Sequence, residues 1–357
     1  MKPKLFIPGP THVDQEVLDA LAQYPLGHRT ADYRELQSKV VAGIKDCLYT
    51  EQSVLVSTSS ATGLMEAGVR NLSKKKVANF VCGAFSKKQA AITRVCGLDQ
   101  DVFEVDWGKA ITAEHVDAVL SKGDYDLVTV VFNETSTGVM NPLKEIAEVV
   151  NKYPDVLLMV DAVSGMMGAP IKIDEWGVDM ALASVQKAWA LPPGFAITSL
   201  SDRALERSKS IPEAQKGFYF DFVRMHKAGE KSETPVTPSI PHLYGLSVQL
   251  DRIKAEGLEN RFARHKQMAD RVRDWGRDRF GLYAEPGYES DTLTCFKNDA
   301  GINLLELATV MKSRDYLISG GYGDLKGKTF RLAHMGDLQM TDINDVLNVL
   351  DEVIEAL

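Results

Sequence analysis

Between residues 53 and 184 the chain alternates short apolar runs with amphipathic stretches, and this alternation constrains its fold more than any other feature. "SVLVST", "VANFVC", "DVFEVDW", "LVTVVFN", "VLLMVDA" and "MALAS" read as strands. Between them, "TGLMEAGVRNL", "SKKQAAITRVCG", "TAEHVDAVLSKG" and "LKEIAEVVNKY" repeat their apolar residues at the spacing of a helix with one buried face. Strands that are apolar throughout, separated by such helices, make a mostly parallel sheet covered on both sides. Ahead of this block "VDQEVLDALAQY" and "DYRELQSKVVAGIKDCL" are helical. After about Pro235 helices dominate ("LYGLSVQLDRIKAEG", "LENRFARHKQMADRVRDWGRDR"), followed by short strands ("LTCFKN", "TFRLAHM") and a closing helix ("DINDVLNVLDEVIEAL"). The expected organisation is an N-terminal arm over residues 1–20, a large α/β domain over 21–240 and a smaller α+β domain over 241–357.

Composition narrows the function. A formal charge of −8 argues against gripping phosphate backbones, so no nucleic-acid partner is expected. The four cysteines show no metal-ligand spacing, which fits a reducing compartment, and no metal site is expected. No run approaches 18 apolar residues, and "MKPKLFIPGP" meets Pro-Gly-Pro too early for a signal peptide or membrane anchor. The expectation is a cytoplasmic protein without a membrane partner.

In open parallel sheets ligands bind beyond the carboxyl ends of the strands. Those ends carry Ser57–Thr62, Gly83–Phe85, Asn133–Gly138, Asp161–Ser164 and Ser184–Lys187. Neither a dinucleotide fingerprint nor a complete Walker loop is among them. Ser60 and Thr62 at a helix start suit an anion, although taken alone an ordinary N-cap by Ser59 or Ser60 explains the stretch better. Lys187 is the only charged residue between Asp179 and Asp202, and Asp161 ends the most apolar strand. Either could snorkel or cap a helix. Taken together they suggest more. A lysine withdrawn from water has a lowered pKa and supplies a free amine for a Schiff base. A carboxylate facing a ring nitrogen keeps a pyridinium protonated, the helix start takes a phosphate, and Phe85 could stack on the ring. These are the parts of a pyridoxal phosphate site.

"PGPTHVDQEVL", "GHRTADY", "SSATGLMEA", "GAFSKKQ", "NETSTGVMNPL", "VDAVSGMMGAPIKIDEWGVDMALASVQKAWALPPG", "GFYFDF", "TPVTPSIPHLYGL" and "FRLAHMG" follow in order along nearly the whole chain. In this the sequence resembles the class V (fold type I) pyridoxal-phosphate aminotransferases, specifically the alanine–glyoxylate, serine–pyruvate and serine–glyoxylate group. The resemblance implies a large domain built on a mostly parallel seven-stranded sheet, with a smaller C-terminal α+β domain. It makes Lys187 the Schiff-base lysine and Asp161 the partner of the pyridine nitrogen. It assigns Ser60, Ala61 and Thr62 to the phosphate, Gln186 to the phosphate or the substrate, Phe85 and Val163 to the two ring faces, and Thr135 to the ring hydroxyl. Thr237 matches a phosphate contact donated by a neighbouring subunit, which implies a homodimer with shared sites. Arg331 matches the arginine that binds the substrate carboxylate, and Gly9 lies on the substrate side. The implied reaction is ping-pong transamination from alanine or serine to glyoxylate or pyruvate.

Two positions depart from the pattern, Asn133 and Ala61, where many members carry His or Gly and Gly respectively. Phosphoserine or aspartate as donor is the alternative, and would require a second anion seat, with His226, Lys227 and Lys231 as candidates. A cysteine desulfurase would require a mobile loop cysteine, whereas Cys295 lies in an apparent strand.

Overall fold

A computed structural model describes residues 3–357. The apolar runs form a seven-stranded sheet: β1 (Ser53–Ser57), β2 (Val77–Val81), β3 (Gln100–Glu104), β4 (Leu127–Val131), β5 (Leu157–Asp161), β6 (Met180–Ser184) and β7 (Ala196–Leu200). Their order across the sheet is β1-β7-β6-β5-β4-β2-β3. Six strands share one direction and only β7 runs against them, pairing antiparallel with both β6 and β1. β7 is not among the strands read from the sequence, where the alternating block ends at "MALAS". Residues 185–195 between β6 and β7 contain no helix. That link is too short for a parallel crossover, so the chain returns antiparallel.

Six of the seven strands serve both faces, and the edge strand β3 gives only the half-buried Phe103 to the first core. Along β5, Leu158 and Val160 enter the core under helices Ala31–Cys47 and Ile240–Glu256. Leu157 and Met159 enter a second core with helices Ala61–Leu72, Asp202–Lys209 and Phe222–Gly229. This period-two division of an entirely buried strand explains why its sequence is a continuous apolar run. The last two of those helices went unread in the sequence, because they are short and rich in charge.

The C-terminal part folds around a third cluster with Trp275, Phe280, Phe296 and Phe330 at its centre. It holds a three-stranded antiparallel sheet, β8 (Leu293–Lys297), β9 (Ser319–Gly320) and β10 (Thr329–Ala333), in the order β8-β10-β9. Helices Leu258–Phe280, Leu304–Ser313 and Met340–Ala356 pack with it. The start of the chain joins this part: Lys4–Leu5 pairs parallel with Tyr316–Leu317, and Phe6 is buried in the same cluster. Among the described residues no helix is long and apolar enough to cross a membrane.

Candidate active site

The shared strand direction brings the carboxyl ends of β1, β2, β4, β5 and β6 to one edge. A cavity of about 370 Å³ opens there. It is lined by Gly9, Ser60, Ala61, Thr62, Phe85, Thr135, Asp161, Val163, Gln186, Lys187 and Arg331, so eleven of the twelve residues singled out from sequence converge on it. The twelfth, Thr237, is exposed and lies outside the cavity of this chain. His226, Lys227 and Lys231 also lie outside it, and His226 Nδ1 is hydrogen-bonded to Ser53 Oγ at 2.9 Å.

Lys187 sits in the turn after β6, only 6% exposed. Its Nζ donates to Thr135 Oγ1 at 2.9 Å and to Ser164 Oγ at 2.6 Å. Burial lowers its pKa to about 8, against the opposing pull of Asp161 and Glu134. The backbone around it is pinned by Thr11, whose N–H donates to the Gln186 carbonyl and whose hydroxyl donates to the Lys187 carbonyl at 2.9 Å. Gly9 has φ +106°, and a Cβ there would meet Lys187 Cγ at 3.1 Å. Only glycine combines that backbone conformation with so close an approach.

Asp161, at the end of β5, accepts from the Val163 N–H at 2.9 Å. Burial pushes its carboxyl up to about 6, with the Val163 N–H and the Lys187 charge pulling the other way. A carboxylate so placed calls for a cationic or N–H partner in the cavity. Ser60 is the N-cap of helix Ala61–Leu72, yet its side chain makes no capping bond. Its hydroxyl and the Ala61 and Thr62 amides are therefore available to an anion. Arg331, 7% exposed on β10, donates from Nη1 to the Thr135 carbonyl and from Nε to the Gly320 carbonyl, both at 3.1 Å. Thr135 thus touches both Lys187 and Arg331. The donor set fits pyridoxal phosphate: an amine of lowered pKa, a buried carboxylate, an anion-ready helix start and an aromatic face.

Sequence reasoning missed Glu134, which is fully buried and organises the wall opposite Lys187. Its carboxylate accepts from the N–H groups of Phe85, Ser86 and Ser136 at 3.0–3.2 Å and from the hydroxyls of Ser86 and Ser136. It stands beside Asn133 in "NETSTG", where an exposed loop carboxylate would look the same; only its burial marks it. Ser164 and Tyr322 were missed as well. The Tyr322 ring stacks on Phe85 with centroids 5.2 Å apart. Cys295 is buried on β8 and its thiol is pushed up to about 11 by burial, which removes it as a mobile sulfur acceptor.

An α/β sheet that delivers a buried lysine and a buried carboxylate to neighbouring strand ends, with an arginine from the second sheet, defines a lysine-dependent transferase architecture. The aminotransferase class-V family model matches residues 4–321, and the chain belongs to that family and is an aminotransferase. An uncharacterized aminotransferase of Methanocaldococcus jannaschii is 38% identical over 343 residues, 94% of this chain and 88% of that protein. A serine–glyoxylate aminotransferase of Methylorubrum extorquens is 31% identical over 94% of this chain and 86% of its own length. Among solved structures, an aspartate aminotransferase of subgroup IV from Thermus thermophilus superimposes with a TM-score of 0.91 at 30% identity, covering 99% of both chains.

Proposed function

We propose that this aminotransferase moves the amino group of alanine or serine to glyoxylate or pyruvate, with pyridoxal 5′-phosphate as its cofactor. The observation that carries the reading is a single cavity holding the buried Lys187 amine and the buried Asp161 carboxylate beside the helix start at Ser60. When bound, pyridoxal phosphate supplies an aldehyde that takes the amino group and a protonated ring that withdraws electrons.

The chain's own residues do the rest. Asp161 would hold the ring N–H and keep it charged. Ser60, Ala61, Thr62 and Gln186 would hold the phosphate, Phe85 and Val163 would enclose the ring, and Thr135 would meet the ring hydroxyl. The Arg331 guanidinium takes the substrate α-carboxylate, a planar match for two oxygens, and Gly9 leaves room beside it. Lys187, its pKa lowered so that the free amine is accessible near neutral pH, would hold the cofactor and move the substrate's Cα proton, with the Thr135 and Ser164 hydroxyls steering its nitrogen. Thr237, exposed on one chain, would reach the site of a second copy, giving a homodimer with shared sites. The division into residues 1–20, 21–240 and 241–357 belongs to the same reading, as does residence in the cytoplasm.

The serine–glyoxylate relative supports the small donor and the glyoxylate acceptor. The T. thermophilus structure favours aspartate as a second donor. Stopped-flow absorbance of the cofactor-loaded protein tests both. Its visible band should fall on mixing with alanine or serine and return with glyoxylate or pyruvate, and Lys187→Ala should abolish the response. Loss only with aspartate or phosphoserine would replace the donor; no response to any of the four would end the reading.

A further inference from the structure

One cation in the cavity is unused by this mechanism. Lys88 lies one turn after Phe85 on helix Ala84–Val95 and lines the same cavity as Lys187 and Arg331. Its ammonium is 4.9 Å from the Phe85 ring centroid, and the Lys187 ammonium is 5.3 Å from that same centroid. Tyr322 stacks on Phe85, and the Arg331 guanidinium is 5.7 Å from the Tyr322 centroid. The two stacked rings therefore form a wall, with Lys88 against the first ring and Arg331 against the second.

The neighbouring Lys87 behaves as surface lysines do: its side chain is 59% exposed and it approaches Asp324 at 3.7 Å. Lys88 is half-buried. Among the described residues it has neither an ion-pair partner nor a hydrogen-bond acceptor for its ammonium. The nearby carboxylates are already engaged, Glu134 by the amides and hydroxyls of the Phe85 turn and Asp161 by the Val163 N–H and the charge of Lys187, with Lys88 acting on Asp161 only from beyond ion-pair distance. An ammonium with no hydrogen-bonded counter-ion in a concave site concentrates an attractive field for an anion.

The charges around the cavity indicate which anion. Its cationic lining residues are Lys88, Lys187 and Arg331. Under the aminotransferase reading above, on which this inference rests, Lys187 handles the amino group and Arg331 the α-carboxylate. Lys88 is left facing a second anionic group on the substrate. A single ammonium balances a monoanion, whereas a phosphate dianion would call for more donors than this wall provides. We propose that Lys88 is a specificity-determining residue that seats the side-chain carboxylate of a short dicarboxylic amino acid such as aspartate, and of the matching oxo acid. The seat is thus in the helix that carries Phe85, away from the basic segment at 226–231.

The test compares cofactor-loaded wild type with Lys88→Met and Lys88→Arg. The ratio of kcat/KM for aspartate to that for alanine should fall roughly 10- to 100-fold in Lys88→Met, the loss of one charge-assisted hydrogen bond, and should be largely kept in Lys88→Arg. Calorimetric titration gives a readout independent of turnover: the Kd for succinate should rise by a similar factor relative to propionate. An unmoved ratio, with both donors losing equally or neither losing, would overturn the proposal. So would a weaker Kd for pyridoxal phosphate with the ratio unmoved, which would assign Lys88 to the cofactor. A drop for phosphoserine without one for aspartate would likewise replace the carboxylate with a phosphate. If the wild type turns over no amino donor, the amino-transfer reading fails, and the succinate–propionate difference still decides the seat.

Discussion

Asp161 and Lys187 are both held in environments that water would not choose, and the cost falls on stability. In the folded chain burial raises the Asp161 carboxyl from 3.8 to about 6. Between those values the folded state keeps a proton that the unfolded chain releases, so this group's contribution falls as pH rises from about 4 to about 6 and stays low above. Asp161→Asn keeps an oxygen for the Val163 N–H and carries no charge. The apoprotein variant should therefore be more stable than wild type at pH 7, by about 1–3 kcal/mol, with the difference vanishing below pH 4. Turnover should fall roughly a hundredfold or more, because the ring N–H loses its charged partner. Urea denaturation at the two pH values checks this, and an unchanged midpoint at pH 7 would show that the buried carboxylate carries no strain. At this scale the two central residues were legible as lone charges in apolar surroundings. Glu134, Thr135 as a contact of Lys187, and Ser164 as its second contact were not, since a polar residue in a polar loop announces neither its burial nor its partner.

At the scale of elements, the helix Ala84–Val95 begins at Gly83, which has no side chain to cap it. The Glu134 carboxylate from the loop after β4 caps it instead, taking the Phe85 and Ser86 amides and answering the positive end of the helix. A Cβ at Gly83 would collide with Glu134, so the close approach and the cap belong together. Glu134→Ala leaves these donors buried without a partner and should cost about 2–4 kcal/mol, with Glu134→Gln intermediate. Because the same turn holds Phe85 and Lys88, the Kd for pyridoxal phosphate should weaken alongside. Thermal unfolding and equilibrium dialysis measure the two effects, and full stability in Glu134→Ala would refute the cap. The long helices and the strands other than β7 and the two-residue β9 were readable from periodicity. The antiparallel turn into β7 was not, because its direction depends on the shortness of the connection rather than on any residue pattern.

Across the whole molecule, the turn bearing Lys187 is tied to the C-terminal part by one buried arginine. Arg261, at the start of helix Leu258–Phe280, is 1% exposed. Its Nη2 donates to the Ala188 carbonyl at 2.7 Å, its Nε to the Met167 carbonyl at 3.3 Å, and its Nη1 to Glu256 at 2.9 Å and Asp337 at 3.2 Å. His265, one turn on, accepts the Gly336 N–H at Nε2, so its proton sits on Nδ1 and points to the Arg261 carbonyl. Burial and the adjacent arginines hold that imidazole neutral, its pKa well below the usual value. Arg261→Met would leave the Met167 and Ala188 carbonyls without their donor and take one cation from the Glu256 and Asp337 carboxylates, which keep Arg264 and Gln249 respectively, a loss of about 2–4 kcal/mol. Arg261→Lys restores the charge but not the fork that reaches three directions, so it should recover little of the loss. Since the Ala188 carbonyl adjoins Lys187, kcat should fall even at temperatures where the variant is fully folded, whereas a purely structural tie would lower the melting temperature alone. Kinetics well below the transition, set beside calorimetry of both variants, separate the two. A kcat at the wild-type level in the folded variant would confine Arg261 to stability and leave Thr11 and Gly9 to hold the lysine by themselves.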